Sequence, residues 1–95
     1  MKNVYAIRRA ILETLASYTG SPITAGELVD ISPKPAIIHH EKEDCLKEFG
    51  LLKQFGYIEA VPGFGGQQCR LAKKGLQQLQ PEFPQDSFVW GPDAK

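Results

Sequence analysis

Three basic side chains stand close together in the second half of the chain, at Arg70, Lys73 and Lys74. The alternation of a strand turns Arg70 away from the apolar face of a predicted hairpin, and the two lysines begin the helix that follows. Guanidinium and ammonium groups at this spacing suit contacts to phosphate oxygens. We predict a phosphate-contact cluster here, to which Arg9 on the first helix contributes. The alternative is that these are scattered surface charges.

A second group of chemically capable side chains is His39, His40, Glu41 and Cys45. Adjacent histidines on a helix point about 100° apart and cannot easily share one ion, so we predict no metal site and no cofactor. The sequence also lacks a phosphate-binding glycine loop, a nucleophile elbow and a convincing pair of carboxylates. These features indicate that the protein is not an enzyme.

Composition limits the classes of protein to which the chain can belong. Its 95 residues, 42% of them apolar, fit one domain with a small core. Eleven basic and eleven acidic residues cancel, although nucleic-acid binding needs a concentrated basic face. No apolar run reaches the roughly 18 residues of a membrane span, so we expect a cytoplasmic protein. Cys45 and Cys69 are predicted to be buried free thiols.

Periodicity and capping signals define the first half of the fold. Apolar residues recur at three- and four-residue steps from Val4 to Tyr18, which predicts a first helix over about 3–18. Ile23 and Thr24 are predicted to form a short strand that pairs with the later hairpin. Thr24 and Glu27 match a capping box, which opens a second helix.

A third helix is predicted to run without a break from Pro35 to Phe55. Its inward stripe consists of Ile38, Cys45, Phe49 and Leu52, and its outward line consists of Ala36, His40, Glu43, Lys47, Gly50 and Gln54. Gly50 within this helix costs about 1 kcal/mol relative to alanine. Because Glu41, Asp44 and Glu48 are acidic, a solvated helix face is the alternative to a binding face.

The second half of the chain is predicted to form a hairpin, a short helix and a tail. Gly63, Gly65 and Gly66 allow a tight hairpin tip, and Phe64 at that tip suits a protein contact. The helix covers Lys73 to Gln80, with Leu76 and Leu79 inward. We divide the chain into a domain of residues 1–80 and an extended, acidic tail of residues 81–95.

The tail carries aromatic residues at Phe83, Phe88 and Trp90, which is unusual for a disordered segment. We expect them to dock on the body of the protein or across a homodimer. The alternative is that they await a protein partner.

The order helix, strand, helix, helix, hairpin, helix over residues 3–80 resembles the winged helix-turn-helix domain of bacterial MarR-, PadR- and ArsR-like regulators. The run from Arg70 to Leu76 carries the most specific part of the resemblance. The resemblance implies an α+β, mainly α fold with a three-helix core and a β-hairpin wing.

This resemblance implies a homodimeric, DNA-binding transcriptional regulator whose third helix enters the major groove of double-stranded DNA. Side chains that would contact bases or phosphates are His40, Glu43, Lys47, Gln54, Arg9, Arg70, Lys73 and Lys74. The alternative function is a protein-protein interaction module that uses the acidic third helix, Phe64 and the tail residues Phe83, Phe88 and Trp90.

Overall fold

Six helices and one three-stranded antiparallel sheet occupy the described part of the chain, which in this computed structural model comprises residues 3–18, 21–62 and 68–92. The elements in chain order are α1 (Val4–Ala16), β1 (Ile23–Thr24), α2 (Ala25–Ile31), α3 (Pro35–Ile38), α4 (Lys42–Gln54), β2 (Ile58–Ala60), β3 (Gln68–Leu71), α5 (Lys73–Gln78) and α6 (Ser87–Trp90). The fold is α+β and mainly helical, an arrangement compatible with a winged helix.

The sheet joins the two halves of the chain in the strand order β1, β3, β2. Ile23 of β1 lies opposite Cys69 of β3, and Ile58 of β2 lies opposite Leu71. The predicted strand at Ile23–Thr24 is therefore confirmed. The capping box is confirmed as well, because the Thr24 hydroxyl accepts from the Glu27 amide at 3.1 Å while the Glu27 carboxylate accepts from the Thr24 amide at 3.0 Å.

One apolar core lies between α1, α4 and the inner face of the sheet. The fully or nearly fully buried apolar residues are Ile7, Ala10, Ile11, Leu12, Leu15, Ile23, Leu28, Ile37, Cys45, Phe49, Leu52, Tyr57, Ile58, Cys69 and Val89. Both cysteines are buried thiols that are not joined in a disulfide, as predicted. Burial raises the pKa of each thiol, and at Cys45 the nearby carboxylates of Asp44 and Glu48 add to the increase.

The prediction of one continuous third helix is wrong. The helix ends at Ile38, and a new helix, α4, begins at Lys42. Residues 39–44 are all polar and offer no apolar side chain to hold a helical turn against the core. Ile38, which we placed on the inward stripe, is 60% exposed, and Ile37 is buried in its place.

Helix α4 ends at the glycine that precedes β2. Gly56 has φ +87°, a conformation that glycine adopts without strain. Its amide donates to the Lys53 carbonyl at 3.2 Å, and the Tyr57 amide donates to the Leu52 carbonyl at 2.9 Å. This pair of bonds is a Schellman motif, and it turns the chain directly into the hairpin.

Helix α5 differs from the prediction in two respects, because it ends at Gln78 rather than Gln80 and Leu76 is 44% exposed rather than inward. The residue that faces the body of the protein is Gly75, which is buried. A Cβ atom at Gly75 would overlap the main-chain oxygen of Tyr57. Close approach of α5 to the hairpin therefore requires glycine at this position.

Substitution by alanine should have opposite effects on stability at Gly75 and at Gly50. We expect Gly75→Ala to lower the free energy of unfolding by about 3 kcal/mol, because the main chain at Tyr57 must move. Gly50→Ala should raise it by about 1 kcal/mol, since an added Cβ atom there meets no atom within 4 Å. Urea unfolding followed by circular dichroism measures both. Equal unfolding midpoints for the two variants would contradict the packing at Gly75.

The tail is not simply extended. Residues 87–90 form α6, which packs on α1, and Val89 is 0% exposed. Gly91 follows with φ +96°, close to the ring of Tyr5. The expectation that the tail docks on the body of the protein is therefore met in cis, at least for the residues up to 92 that the structure describes.

Candidate nucleic-acid interface

The outward face of α4 is the central part of the predicted interface. Glu43, Lys47, Gly50 and Gln54 are all exposed, as predicted. They recur at steps of four, three and four residues, so they lie along one line of the helix. This part of the predicted face is brought together by the structure.

The two other members of the predicted line do not belong to it. Ala36 lies on α3, and His40 lies in the connection between α3 and α4. The His40 Nδ1 atom is at hydrogen-bonding distance from the Ala36 carbonyl, and Nε2 is 3.4 Å from the main-chain amide of Asn3. A neutral ring that donates from Nδ1 and accepts at Nε2 satisfies both contacts. His40 thus connects α3 to the start of α1 and does not project from α4.

Glu48 is the main difference between the predicted and observed charge of α4. Its side chain is 6% exposed and accepts a hydrogen bond from Arg8 Nε of α1 at 2.7 Å. The other acidic residues of the region, Glu41, Glu43 and Asp44, stand at the start of the helix, where negative charge is favourable. Within positions 45–54 the exposed residues are therefore Lys47, Gly50, Lys53 and Gln54.

Lys53 is a candidate residue that the sequence reasoning missed. It is exposed at the last turn of α4 and lines an open cleft between α2, α4 and β3. Glycines line both sides of this cleft, at Gly26 in α2 and at Gly50 in α4, and an added Cβ atom at either meets nothing within 4 Å. The helical period gives no signal of this exposure, because Lys53 follows the buried Phe49 by one turn and lies at the edge of the buried stripe.

Only part of the predicted phosphate-contact cluster is available to an external anion, because Arg70 and Lys74 contact other residues of the protein. Arg70 points outward as predicted, but its Nε is 3.4 Å from a Glu59 carboxylate oxygen across the hairpin. Lys74 donates to the Phe55 carbonyl at 2.8 Å and lies 4.3 Å from the Tyr57 ring centroid. Lys73 is exposed. Lys74 thus helps to end α4, and Lys73 is the member best placed for an external anion.

Arg9 contacts the tail rather than standing free on α1. Its guanidinium carbon is 5.1 Å from the Trp90 ring centroid, and Nη1 is 3.4 Å from the Val89 carbonyl. Trp90 also donates its indole N–H to the Gln78 carbonyl at 3.2 Å. Arg9 and Trp90 therefore belong to the docking of α6 on the body of the protein.

Phe88 is held in a cluster of aromatic rings and cations. The Arg8 guanidinium carbon is 4.0 Å from its ring centroid, and the Tyr57 ring stacks on it at 5.7 Å. Arg8 also lies 5.5 Å from the Tyr5 ring centroid, and Lys74 contacts the Tyr57 ring. Such contacts fix the tail in place.

The hydroxyl of Tyr57 completes this attachment of the tail. It donates to the Asp86 carboxylate at 2.7 Å. Burial and this hydrogen bond raise the pKa of Tyr57. The phenol is accordingly held in its neutral, donating form.

The aromatic residues that we predicted to contact a protein partner differ in their exposure. Phe88 and Trp90 are half-buried against the protein's own body, and Phe83 remains 38% exposed. Phe64, predicted at the hairpin tip, lies outside the described residues. The tail therefore offers a partner less aromatic surface than the sequence indicated.

The described residues contain neither a metal-binding cluster nor a membrane-spanning helix. No group of three or more histidine, cysteine, aspartate and glutamate side chains there could hold a metal ion. No helix there is long and apolar enough to cross a membrane.

Comparison with known proteins identifies no relative of this chain. No protein-family model matches the sequence, and no curated protein and no solved structure matches it.

Proposed function

We propose that this chain is a winged helix-turn-helix protein that binds double-stranded DNA and acts as a transcriptional regulator. Helix α4 is the recognition helix, and the β2–β3 hairpin is the wing. Lys47, Lys53 and Gln54 face the duplex from α4, and Lys73 contacts phosphates from the base of the wing.

The inward orientation of Glu48 is the observation that carries this proposal. An acidic recognition helix is repelled by phosphate, and the sequence places four acidic residues between positions 41 and 48. Because Glu48 pairs with Arg8 inside the protein, the exposed charges over 45–54 are positive only. The repulsion is thus confined to the start of the helix.

A salt series on duplex binding tests the function. We expect the protein to bind duplex DNA of random sequence at low salt, with log affinity falling linearly with log salt concentration. The double variant Lys53→Ala, Lys73→Ala should weaken binding and reduce that slope by about one unit for each lost phosphate contact. Filter binding or fluorescence anisotropy of a labelled duplex measures both quantities.

Lys34→Ala is the matched control, because it removes one positive charge away from α4. Lys34 pairs at 3.7 Å with Glu13 of α1, so we expect the salt slope of this variant to equal that of the unaltered protein. Lys74→Ala is unsuitable, since it also removes the hydrogen bond to the Phe55 carbonyl. Absence of any duplex affinity at low salt would contradict the proposed function.

A second candidate function is a protein-interaction module. The observation that favours it is the exposure of large apolar side chains, namely Ile31, Ile38, Phe55, Leu76 and Phe83. The salt series separates the two functions. A DNA-binding protein shows a duplex affinity that falls steeply with salt, whereas a module that binds proteins through apolar contacts does not.

A further inference from the structure

Gly50 is unexplained by the fold of the protein itself. It lies in the middle of α4, where glycine weakens a helix. It is exposed, and a Cβ atom added there would meet no heavy atom within 4 Å. Gly75 shows the contrast, because close packing against Tyr57 requires glycine at that position. At Gly50 the described residues of the chain impose no such requirement.

The position of Gly50 on α4 indicates what approaches it from outside. Lys47 and Gln54 stand three residues before it and four residues after it, so the three positions share one face. The acidic residue on the same line, Glu43, lies one turn earlier, at the start of α4. Within the segment 45–54 the exposed residues are Lys47, Gly50, Lys53 and Gln54, and their charge is positive or neutral. This charge is complementary to a polyanion and favours duplex DNA as the occupant of the face.

Glycine at this point changes how deeply the helix can enter the duplex. The major groove is about 12 Å wide, close to the diameter of an α-helix with its side chains. A position without a side chain lets the main chain of α4 come nearer to the base edges. The side chains on either side of it then reach those edges directly.

The rise of α4 sets how many base pairs lie between Lys47 and Gln54. Gln54 follows Lys47 by seven positions, which corresponds to about 10.5 Å along the helix axis. At about 3.4 Å per base pair, this distance spans roughly three base pairs. Lysine donates best to the O6 and N7 atoms of guanine, and glutamine pairs with the N6 and N7 atoms of adenine.

We propose that α4 reads a guanine through Lys47 and an adenine through Gln54, about three base pairs apart, with Gly50 seated against the groove between them. This inference rests on the proposed function. It goes further by assigning the sequence content of the preferred duplex to two side chains and a glycine.

Selection from a random duplex library tests the inference with the complete protein. Repeated rounds of binding and amplification should enrich a site that contains guanine and adenine about three base pairs apart. Lys47→Ala should relax the preference at the guanine, and Gln54→Ala should relax it at the adenine. Each change should weaken binding to the enriched duplex by roughly tenfold.

Gly50→Leu tests the close approach separately. It should weaken binding to the enriched duplex by roughly tenfold or more, while its thermal unfolding temperature is not lowered, because there is room for the side chain and leucine favours a helix. Ser17→Leu, which adds an apolar side chain at the exposed end of α1, should leave affinity unchanged.

The outcomes distinguish this inference from the proposed function. If duplex binding depends on salt but Lys47→Ala and Gln54→Ala leave the base preference unchanged, the base assignment is overturned and the proposed function stands. Full affinity in Gly50→Leu would overturn the close approach. Absence of duplex binding by the unaltered protein would overturn the function and the inference together.

Discussion

A version of the protein that ends at Gln80 should lose a large part of its stability, although the sequence separates residues 81–95 from the domain as an extended tail. Val89 is 0% exposed, and Phe88 and Trp90 are partly buried against the core. Burial of one large apolar side chain contributes about 1.5–3 kcal/mol. After the entropy of ordering the tail is deducted, we expect a loss of about 4 kcal/mol, a large part of the 5–15 kcal/mol typical of a whole domain.

Polar contacts make the same segment integral to the body of the protein. The buried side chain of Gln78 accepts from the Asp86 amide at 2.7 Å and donates to the Pro84 carbonyl at 3.4 Å. Removal of the tail leaves the Gln78 side chain and the Tyr57 hydroxyl without these partners. This loss of hydrogen bonds destabilises the protein in addition to the loss of apolar burial.

Urea unfolding followed by far-ultraviolet circular dichroism measures the loss, because the single tryptophan leaves with the tail. A version that ends at Pro92 is the control, since it keeps every residue that the structure describes, and its unfolding midpoint should equal that of the complete chain. An unchanged midpoint for the version ending at Gln80 would show that the docking of α6 adds no stability. The expected loss of stability means that the version ending at Gln80 is not a clean test of DNA binding.

Signals that lie close together in the sequence predicted their elements correctly. Thr24 and Glu27 are three residues apart and cap each other, so the start of α2 follows from local chemistry. The alternation along β3 turns Cys69 inward and Arg70 outward. In both cases the physical cause and the sequence pattern involve the same few residues.

The break between α3 and α4 was missed because two patterns fit the apolar spacing. Ile38 and Cys45 are seven residues apart, a distance that an unbroken helix also satisfies. Only the wholly polar run 39–44 separates the two interpretations. Its consequence for the candidate site is large, because it moves His40 from the predicted reading face to a connection near the start of α1.

The inward orientation of Glu48 could not be predicted from α4 alone. On the helical period it lies at the boundary between the buried and exposed faces, where lone carboxylates normally point to solvent. It turns inward because Arg8, forty positions earlier, meets it across the core. Arg8 in turn is held by the tail, so the charge of the candidate interface depends on elements that are far apart in the chain.

Arg8→Met should therefore destabilise the protein by about 3–5 kcal/mol, the usual effect of leaving one charge of a buried pair without its partner. Arg8 and Glu48 have side chains 12% and 6% exposed, and their contact is 2.7 Å. The substitution also removes the hydrogen bond from Arg8 to the Phe88 carbonyl, at 2.7 Å, and the contact with the Phe88 ring.

A double-mutant cycle separates the ion pair from these contacts with the tail. Glu48→Leu removes the carboxylate that Arg8→Met leaves unpaired, so the double variant should lose less stability than the two single variants added together, by about 2 kcal/mol. Arg9→Met is the matched control, with an expected loss near 1 kcal/mol, because Arg9 stacks on Trp90 at 5.1 Å and forms no buried ion pair with the residues that the structure describes. Urea unfolding followed by circular dichroism measures all four proteins. Equal losses for Arg8→Met and Arg9→Met, or additive losses in the cycle, would show that Glu48 does not depend on Arg8 for its place in the core. The positive outer face of α4 would then lack the structural cause assigned to it.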